Sequence, residues 1–407
     1  MAEQHHTQPA HTLSVVIPAL NEEDGILGTV QRVLAARPAL AAMGVALEVL
    51  VVDDGSSDGT ASAVETLAGV RLVRHRANRG YGAAIKTGFG CAAGDWLAFL
   101  DADGTYPPDH LPRLCAALYE GADVAVGSRR SGSASKMPLI RRVGNLLWSS
   151  LVTLLGNQAV ADPASGMRVL RRTACDLLYP LPDGLNFTPV MSTRAVHEDL
   201  RVVEIAIPYE ERAGRSKLRV WRDGLRFLQT ILWTSLNYNP VRIFGGLGLI
   251  GMALSAVLGL ALVGMRLAGI TTLGPWGVAS AFVAVAAGLM GVELVSLGIL
   301  SNYLVAIGHR RPVRQGLFGR PILRIALHRH FGWLGAVAVC LGLILGVISL
   351  ALGLNGWPMD RLWLYLLAGM MLVTLGVQLA VFWIILRVVE DLSQRAARAQ
   401  ADREAAP

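Results

Sequence analysis

The chain has 407 residues, enough for two or three domains, and 53% of them are apolar. With a mean hydropathy of +0.46 it is too apolar for a wholly soluble protein of this length, so part of it belongs in a membrane. The net charge of +7 and pI near 9.5 would permit nucleic acid as a partner, but most basic residues are arginines beside apolar runs, a pattern that suits lipid headgroups and phosphates instead.

The segment Met1 to Thr12 is polar and lacks the apolar stretch of a signal peptide, so a disordered tail and a cytosolic catalytic part are expected. Cys91, Cys115, Cys175 and Cys340 show no metal-binding spacing and read as reduced, packed thiols. From Leu13 to Pro18 an apolar strand is expected, followed by the polar turn Asn21-Glu22-Glu23-Asp24 and a helix to about Leu40. The next strand, Leu47 to Val52, ends in Asp53-Asp54-Gly55-Ser56-Ser57-Asp58-Gly59-Thr60. A third, Val70 to His75, leads into Asn78-Arg79-Gly80-Tyr81-Gly82, where glycines open a helix whose first amides can face a phosphate.

The apolar run Trp96 to Leu100 then stops abruptly at Asp101-Ala102-Asp103-Gly104-Thr105-Tyr106-Pro107-Pro108. In an open α/β sheet ligands sit outside the carboxyl ends of the strands, where an Asp-x-Asp places two hard oxygen ligands near one divalent cation. The same residues also make an ordinary acidic turn before the helix Pro108 to Tyr119. Asp53 likewise reads either as a partner for the base or ribose of a nucleotide or as a plain turn residue. No P-loop and no dinucleotide-binding glycine fingerprint follows any strand, so a bound nucleotide is expected to be a group donor. A strand through Ala122 to Gly127 reaches Ser128-Arg129-Arg130, a Gly/Ser-rich break carries Lys136, Arg141 and Arg142, and the apolar segment Val143 to Leu155 is expected to line a second substrate's site. An acidic turn at Asp162 to Arg168, a helix Arg171 to Leu178 and a strand Arg201 to Ile207 complete an alternation that gives an α/β fold with a mostly parallel sheet.

Seven motifs in order carry a resemblance over residues 13 to 236: Ile-Pro-Ala-Leu-Asn-Glu-Glu, Val-Val-Asp-Asp-Gly-Ser-Ser-Asp-Gly-Thr, Asn-Arg-Gly-Tyr-Gly-Ala-Ala, Asp-Ala-Asp-Gly-Thr-Tyr-Pro-Pro, Gly-Ser-Arg, Asp-Pro-Ala-Ser-Gly-Met-Arg and Arg-Ala-Gly-Arg-Ser-Lys-Leu. The chain resembles the family 2 glycosyltransferases of the GT-A fold, near the dolichol-phosphate mannose synthases and bacterial polyprenyl-phosphate glycosyltransferases. The resemblance implies a nucleotide pocket of Pro18, Leu20, Glu22, Val51, Asp53, Ala102 and Asp103, and Mg2+ or Mn2+ on Asp101 and Asp103. It implies phosphate contacts from Arg129 and Arg212, with Asp101, Asp103, Arg129 and Arg212 as the catalytic set; because arginine's fork suits phosphate, Arg141 and Arg142, with Ser216 and Lys217, are expected to join them at the acceptor phosphate. The implied reaction is metal-dependent, inverting transfer from a GDP- or UDP-sugar to polyprenyl or dolichyl phosphate. The mannose synthases often carry a further metal ligand, Gln, where this chain has Thr105, which puts GDP-mannose in doubt. A processive polysaccharide synthase is the alternative enzyme, disfavoured by the lack of Gln-x-x-Arg-Trp; a non-catalytic membrane scaffold is the alternative from another class.

Ser216 to Leu236 places Leu218, Trp221, Leu225, Leu228, Leu232 and Leu236 on one helical stripe, the pattern of an interfacial amphipathic helix. Four apolar runs follow, Ile243 to Met265, Trp276 to Leu300, Phe331 to Leu354 and Leu362 to Leu386, each long enough to cross a hydrocarbon core. The expected plan is therefore a tail (1–12), a GT-A domain (13–215), an interfacial segment (216–238), four membrane helices (239–389) and a charged C-terminal tail (390–407). Arginines crowd the loop after the second run and are sparse after the first and third, which puts both termini in the cytoplasm of a plasma-membrane protein. Glu293, inside the second run, is expected to face another helix, an arginine of the basic loop or the lipid-phosphate entrance. A homo-oligomer stays open.

Overall fold

The computed structural model describes residues 10–130, 139–156, 158–208, 220–270, 272–309 and 330–404. The chain divides into two compact units, Met1–Ser235 and Leu236–Pro407. The first runs β1 (His11–Ala19), α1 (Ile26–Ala35), α2 (Arg37–Ala42), β2 (Val45–Asp53), α3 (Thr60–Glu65), β3 (Arg71–Arg74), α4 (Tyr81–Cys91) and β4 (Trp96–Phe99). It continues with α5 (Leu111–Tyr119), β5 (Val124–Ser128), α6 (Leu139–Leu155), β6 (Arg168–Arg171), α7 (Arg172–Leu178), α8 (Phe187–His197), β7 (Val202–Ala206) and α9 (Val220–Leu236).

The seven strands form one sheet in the order β3-β2-β1-β4-β6-β5-β7. Only β6 runs antiparallel to its neighbours. A strand covered on both faces needs apolar residues on both. In β1, Val15 and Ile17 join Ile26, Val30 and Val33 of α1 in one layer, while Val16 joins Ile85 and Phe89 of α4 and Phe187 of α8 in the other. The four-residue strand β6 was not expected before the helix at Arg171. Neither was α8, which is buried at ten of its eleven positions and so shows no polar face by which to read a helix.

The topology sets the site. β1 pairs with β2 on one side and β4 on the other, all parallel, with Ala19 opposite Asp53 and Val16 opposite Phe99. Their carboxyl ends therefore reach one edge at the point where strand order reverses, which is where such sheets bind ligands.

The second unit consists of α10 (Pro240–Leu267), α11 (Pro275–His309), α12 (Phe331–Leu354) and α13 (Met359–Glu404). All four contain a stretch long and apolar enough to cross a membrane. Even the shortest, α12 with 24 residues, reaches about 36 Å at 1.5 Å per residue. Large apolar side chains point outward throughout, among them Leu260, Phe282 and Val347, as expected where lipid is the solvent. The protein is an integral membrane protein. The charged segment after Glu390 continues α13 as helix through Glu404.

Candidate active site

Two loops are knitted together at the ends of β1 and β2. Asn21, at φ 49°, accepts from the Ser57 N–H (2.8 Å) and donates its own N–H to Ser56 Oγ (2.9 Å), while the Glu22 N–H donates to Thr60 Oγ1 (2.9 Å). Within the β2 turn the two adjacent acids differ. Asp53, 1% exposed, accepts from the Ser56 N–H at 3.0 Å and has Arg74 Nε 3.5 Å from its other oxygen. Asp54 accepts from the N–H groups of Arg79 (2.9 Å) and Gly80 (2.8 Å) and meets His75 Nδ1 at 2.7 Å. His75 in turn reaches Thr87 Oγ1 at 2.9 Å on α4.

Those contacts correct one expectation. The amides that open α4 do not face a phosphate. Arg79 and Gly80 give theirs to Asp54, and Gly82 and Ala83 give theirs to the Asp183 carbonyl (2.7 and 3.2 Å). The glycines are there for close approach, since a Cβ on Gly80 would lie 2.5 Å from that carbonyl and one on Gly82 2.1 Å from that of Pro182. What α4 delivers to the site is Tyr81. Its hydroxyl donates to Asp101 Oδ1 at 2.7 Å, and burial together with the Asp101 charge holds the phenol well above its ordinary pKa, so it stays a donor.

The second acid pair follows β4. Asp103, 7% exposed, uses Oδ1 to accept from the N–H (3.1 Å) and hydroxyl (2.6 Å) of Thr105. Thr105 is thus a support for Asp103, which is how this chain fills the position where its look-alikes often have Gln. Asp101 has Oδ1 on Tyr81, and a Cβ on Gly166 would lie 2.5 Å from Oδ2. No group of three or more His, Cys, Asp or Glu able to hold a metal exists among the described residues. The donor set nevertheless fits a hard divalent cation: two carboxylates two residues apart, aimed by Tyr81 and Thr105, are the hard oxygen ligands such an ion takes, with diphosphate oxygens and water to complete its sphere.

Facing these acids is a loop that sequence reading undervalued. Asp162, fully buried, accepts from Arg129 at Nε (2.8 Å), the second guanidinium nitrogen (2.7 Å) and the backbone N–H (3.0 Å), and from Asn145 Nδ2 (2.9 Å). Burial raises its carboxyl pKa, but the charge and fork of Arg129 and the Asn145 amide outweigh it, so the group sits below the ordinary carboxylate range. The Arg129 guanidinium also lies 5.8 Å from the centre of the Tyr106 ring, and the Tyr106 hydroxyl accepts from the Gly166 N–H at 2.7 Å. Arg168, wholly buried, donates to the carbonyls of Ser165, Pro163 and Thr188 and so braces the loop from below. Burial lowers its pKa to about 10, which leaves it charged at neutral pH.

Of the residues expected in the nucleotide pocket, Pro18, Asp53, Ala102 and Asp103 are buried at the sheet edge, with Leu20 and Glu22 half-buried beside them. The Ala102 carbonyl accepts from Thr29 Oγ1 at 2.9 Å. Val51 is different: its side chain is 0% exposed inside the sheet core, and its strand is paired on both sides there, opposite Ile17 of β1 and Leu72 of β3. The phosphate group is only partly described. Arg129 is at the site and Arg142 is exposed on α6; Arg212, Ser216, Lys217 and the Arg141 side chain lie outside the described residues. Asp54, Tyr81, Tyr106, Asn145, Asp162 and Arg168 were not assigned roles, although all but Asn145 stand within motifs quoted above.

A mostly parallel sheet ending in two acid pairs, with a buried arginine-carboxylate pair opposite, defines a sugar transferase of the GT-A class. The profile described as "Glycosyl transferase family 2" matches residues 14–178, and a "Domain of unknown function" profile matches 240–400. The undecaprenyl-phosphate 4-deoxy-4-formamido-L-arabinose transferase of Klebsiella pneumoniae subsp. pneumoniae is 32% identical over 325 residues, 78% of this chain and 95% of that protein. The low-salt glycan biosynthesis hexosyltransferase Agl6 of Haloferax volcanii is 35% identical over 247 residues, 60% of this chain and 58% of that protein. Among solved structures, the glucosyl-3-phosphoglycerate synthase of Mycobacterium tuberculosis, crystallised with Mn2+, UDP and glucosyl-3-phosphoglycerate, superposes with TM-score 0.44 at 24% identity, over 56% of this chain and 80% of that one. The chain belongs to glycosyl transferase family 2. It is a glycosyltransferase with a membrane domain.

Proposed function

We propose that the protein transfers a sugar from a nucleotide-linked donor, GDP- or UDP-bound, to a polyprenyl or dolichyl phosphate at the cytoplasmic face of the plasma membrane. The observation that carries the reading is the pair Asp101 and Asp103 at the switch-point edge of a chain that also carries four membrane-length helices. The names of its relatives, one acting on undecaprenyl phosphate and one a hexosyltransferase, support the same class.

In this reading Asp53 and the Asn21–Glu22 loop take the nucleoside. Mg2+ or Mn2+, held by Asp101 and Asp103, would supply Lewis-acid neutralisation of the departing diphosphate. Tyr81 and Thr105 keep those carboxylates aimed, and neither can serve as a base while its hydrogen goes to a carboxylate. No base is needed, because a phosphate monoester is already ionised near neutral pH; its oxygen attacks C1 as the C1–O bond to the diphosphate breaks, inverting that centre. Positioning the nucleophile falls to Arg129, held by Asp162 in one orientation, and to Arg142, with Arg141, Arg212, Ser216 and Lys217 completing the proposed set.

The lipid reaches the site over two amphipathic helices. Helix α6, expected to line the acceptor site, leaves Val143, Leu146, Leu147 and Leu154 exposed beside Arg142, and α9 leaves Leu225 and Trp233 exposed beside Arg222 and Arg226. They meet through Trp148 and Phe227, whose rings are 6.5 Å apart. An apolar stripe rimmed by arginines is the composition of a helix lying in a membrane interface.

The test is to incubate membranes with labelled nucleotide sugars and polyprenyl phosphate, with and without chelator, and to extract the lipid. Label in the lipid fraction that chelator abolishes is expected. Label in a water-soluble polymer would favour a processive synthase, and no metal-dependent turnover of any sugar nucleotide would leave a scaffold.

A further inference from the structure

The membrane unit contains the same hairpin twice. Shifting the sequence by 87 residues lays Arg242, Phe244, Gly245, Leu247, Gly248, Leu254, Leu258, Gly259, Leu267 and Gly269 on Arg329, Phe331, Gly332, Leu334, Gly335, Leu341, Leu345, Gly346, Leu354 and Gly356, ten identities in 28 positions. Gly and Leu are common in any membrane helix, so identity alone does not decide. The geometry does. Gly248 crosses Gly291 so closely that a Cβ on either would lie 2.5 or 2.7 Å from the other's carbonyl, and Gly335 crosses Gly376 with the same pair of distances, 2.7 and 2.5 Å. The residue beyond each crossing corresponds too: Met252 with Val339, and Val295 with Ala380.

The helix ends repeat the match bond for bond. Ala268, Gly269 and Ile270 donate to the carbonyls of Gly264, Arg266 and Met265 at 3.0, 3.1 and 3.0 Å; Asn355, Gly356 and Trp357, each 87 residues on, donate to those of Ala351, Gly353 and Leu352 at 3.1 Å each. Gly269 and Gly356 close their helices at φ +86° and +82°. After these turns the offset is 85, which lays Gly291-Val292-Glu293-Leu294 on Gly376-Val377-Gln378-Leu379.

Glu293 and Gln378 are thus equivalent residues, and they touch: Gln378 Nε2 donates to Glu293 Oε2 at 3.0 Å. Two copies related by translation present a given side chain in the same direction, so equivalent side chains do not face each other. A two-fold axis makes them face, and only beside the axis. The axis runs along the bilayer normal, because both hairpin tips lie at one end: Arg266, closing α10, donates to the Arg361 carbonyl at the start of α13 at 3.3 Å.

We propose that the membrane unit is a fused dimer of one helical hairpin, in which each hairpin is the other's partner and the Glu293–Gln378 hydrogen bond on the pseudo-two-fold axis is the contact that registers them. A polar pair between apolar helices fixes register because a slipped arrangement would leave both groups in hydrocarbon. Glu293 then belongs to assembly, not to a lipid-phosphate entrance; the arginines of the basic loop lie outside the described residues.

The test uses the full chain with Cys91, Cys115, Cys175 and Cys340 replaced by alanine. Glu293→Cys with Gln378→Cys is expected to form a disulfide within one chain on mild oxidation; a disulfide between chains, or none, overturns the internal pairing. Glu293→Gln keeps a hydrogen-bonding pair and is expected to leave both the melting temperature in detergent and sugar transfer unchanged. Glu293→Ala and Gln378→Ala are expected to lower melting by similar amounts, and the double variant by no more than either alone. Gly291→Ala and Gly376→Ala are likewise expected to match each other. Additive losses at the polar pair, or a glycine that matters in only one hairpin, would contradict the duplication.

Discussion

Two acid pairs follow the parallel strands β2 and β4, on either side of β1 at one edge, yet the protein uses them differently. Asp53 and Asp54 are adjacent, so their side chains diverge, and Asp54 turns away from the edge to accept three donors that anchor the start of α4. Asp101 and Asp103 are two residues apart, so both can face one point, and Tyr81 holds an oxygen of the first while Thr105 holds an oxygen of the second. The x between two acids separates a pair that can share a cation from a pair in which one member is structural.

That contrast is broken or sharpened by a graded series. The largest effect is expected at Asp103→Asn and Asp101→Asn: transfer should fall by roughly a hundredfold or more, beyond the loss typical of a residue outside the coordination shell, with melting temperature retained. Next comes Tyr81→Phe, which removes the hydrogen bond to Asp101 while keeping the ring against Phe187. Mn2+ affinity, measured by calorimetry with nucleoside diphosphate present, should weaken about ten- to a hundredfold; unchanged affinity would make Tyr81 a packing residue. Asp54→Asn should do the opposite of the metal-edge variants. It sets an amide NH2 against one of the N–H groups that Asp54 accepts from, leaving that donor without an acceptor, and costs about 1–3 kcal/mol of stability, read as a lower melting temperature, with Mn2+ affinity of the folded protein kept.

A pH measurement separates the two sides of the site. The folded Asp162 carboxyl lies below its unfolded value of about 3.9. Its stabilising contribution is therefore complete above that value and is lost as pH falls through the lower folded one. The melting difference between wild type and Asp162→Asn should be constant from neutral pH down to about 4 and close below it; a difference that closes near neutrality would contradict the assignment. The smallest effect is expected at Arg142→Ala, an exposed charge whose loss should weaken acceptor use by roughly two- to fivefold without touching nucleotide binding.

The placing of these acids at strand ends was legible because turn chemistry there is local: the acids, the glycines and their order mark where β2 and β4 stop. What was not legible depends on contacts between distant segments. Spacing cannot say that Asp54 is the structural member of its pair, since that follows from where Arg79 and Gly80 pass. The role of Asp162 needed Arg129, 33 residues away, to be folded onto it. Helix α8 was hidden because a helix buried all round has no polar face. The hairpin repeat stood in the sequence from Arg242 onward, masked by the Gly and Leu shared by membrane helices generally, and Gln378 could be identified as the partner of Glu293 only once the two helices were side by side.

The most direct test of the account is a titration of Mn2+ into detergent-solubilised protein with nucleoside diphosphate, comparing wild type, Asp103→Asn and Asp54→Asn at a temperature where all three are folded. The account predicts one saturable site in wild type and in Asp54→Asn and none in Asp103→Asn. Equal binding in wild type and Asp103→Asn would contradict it.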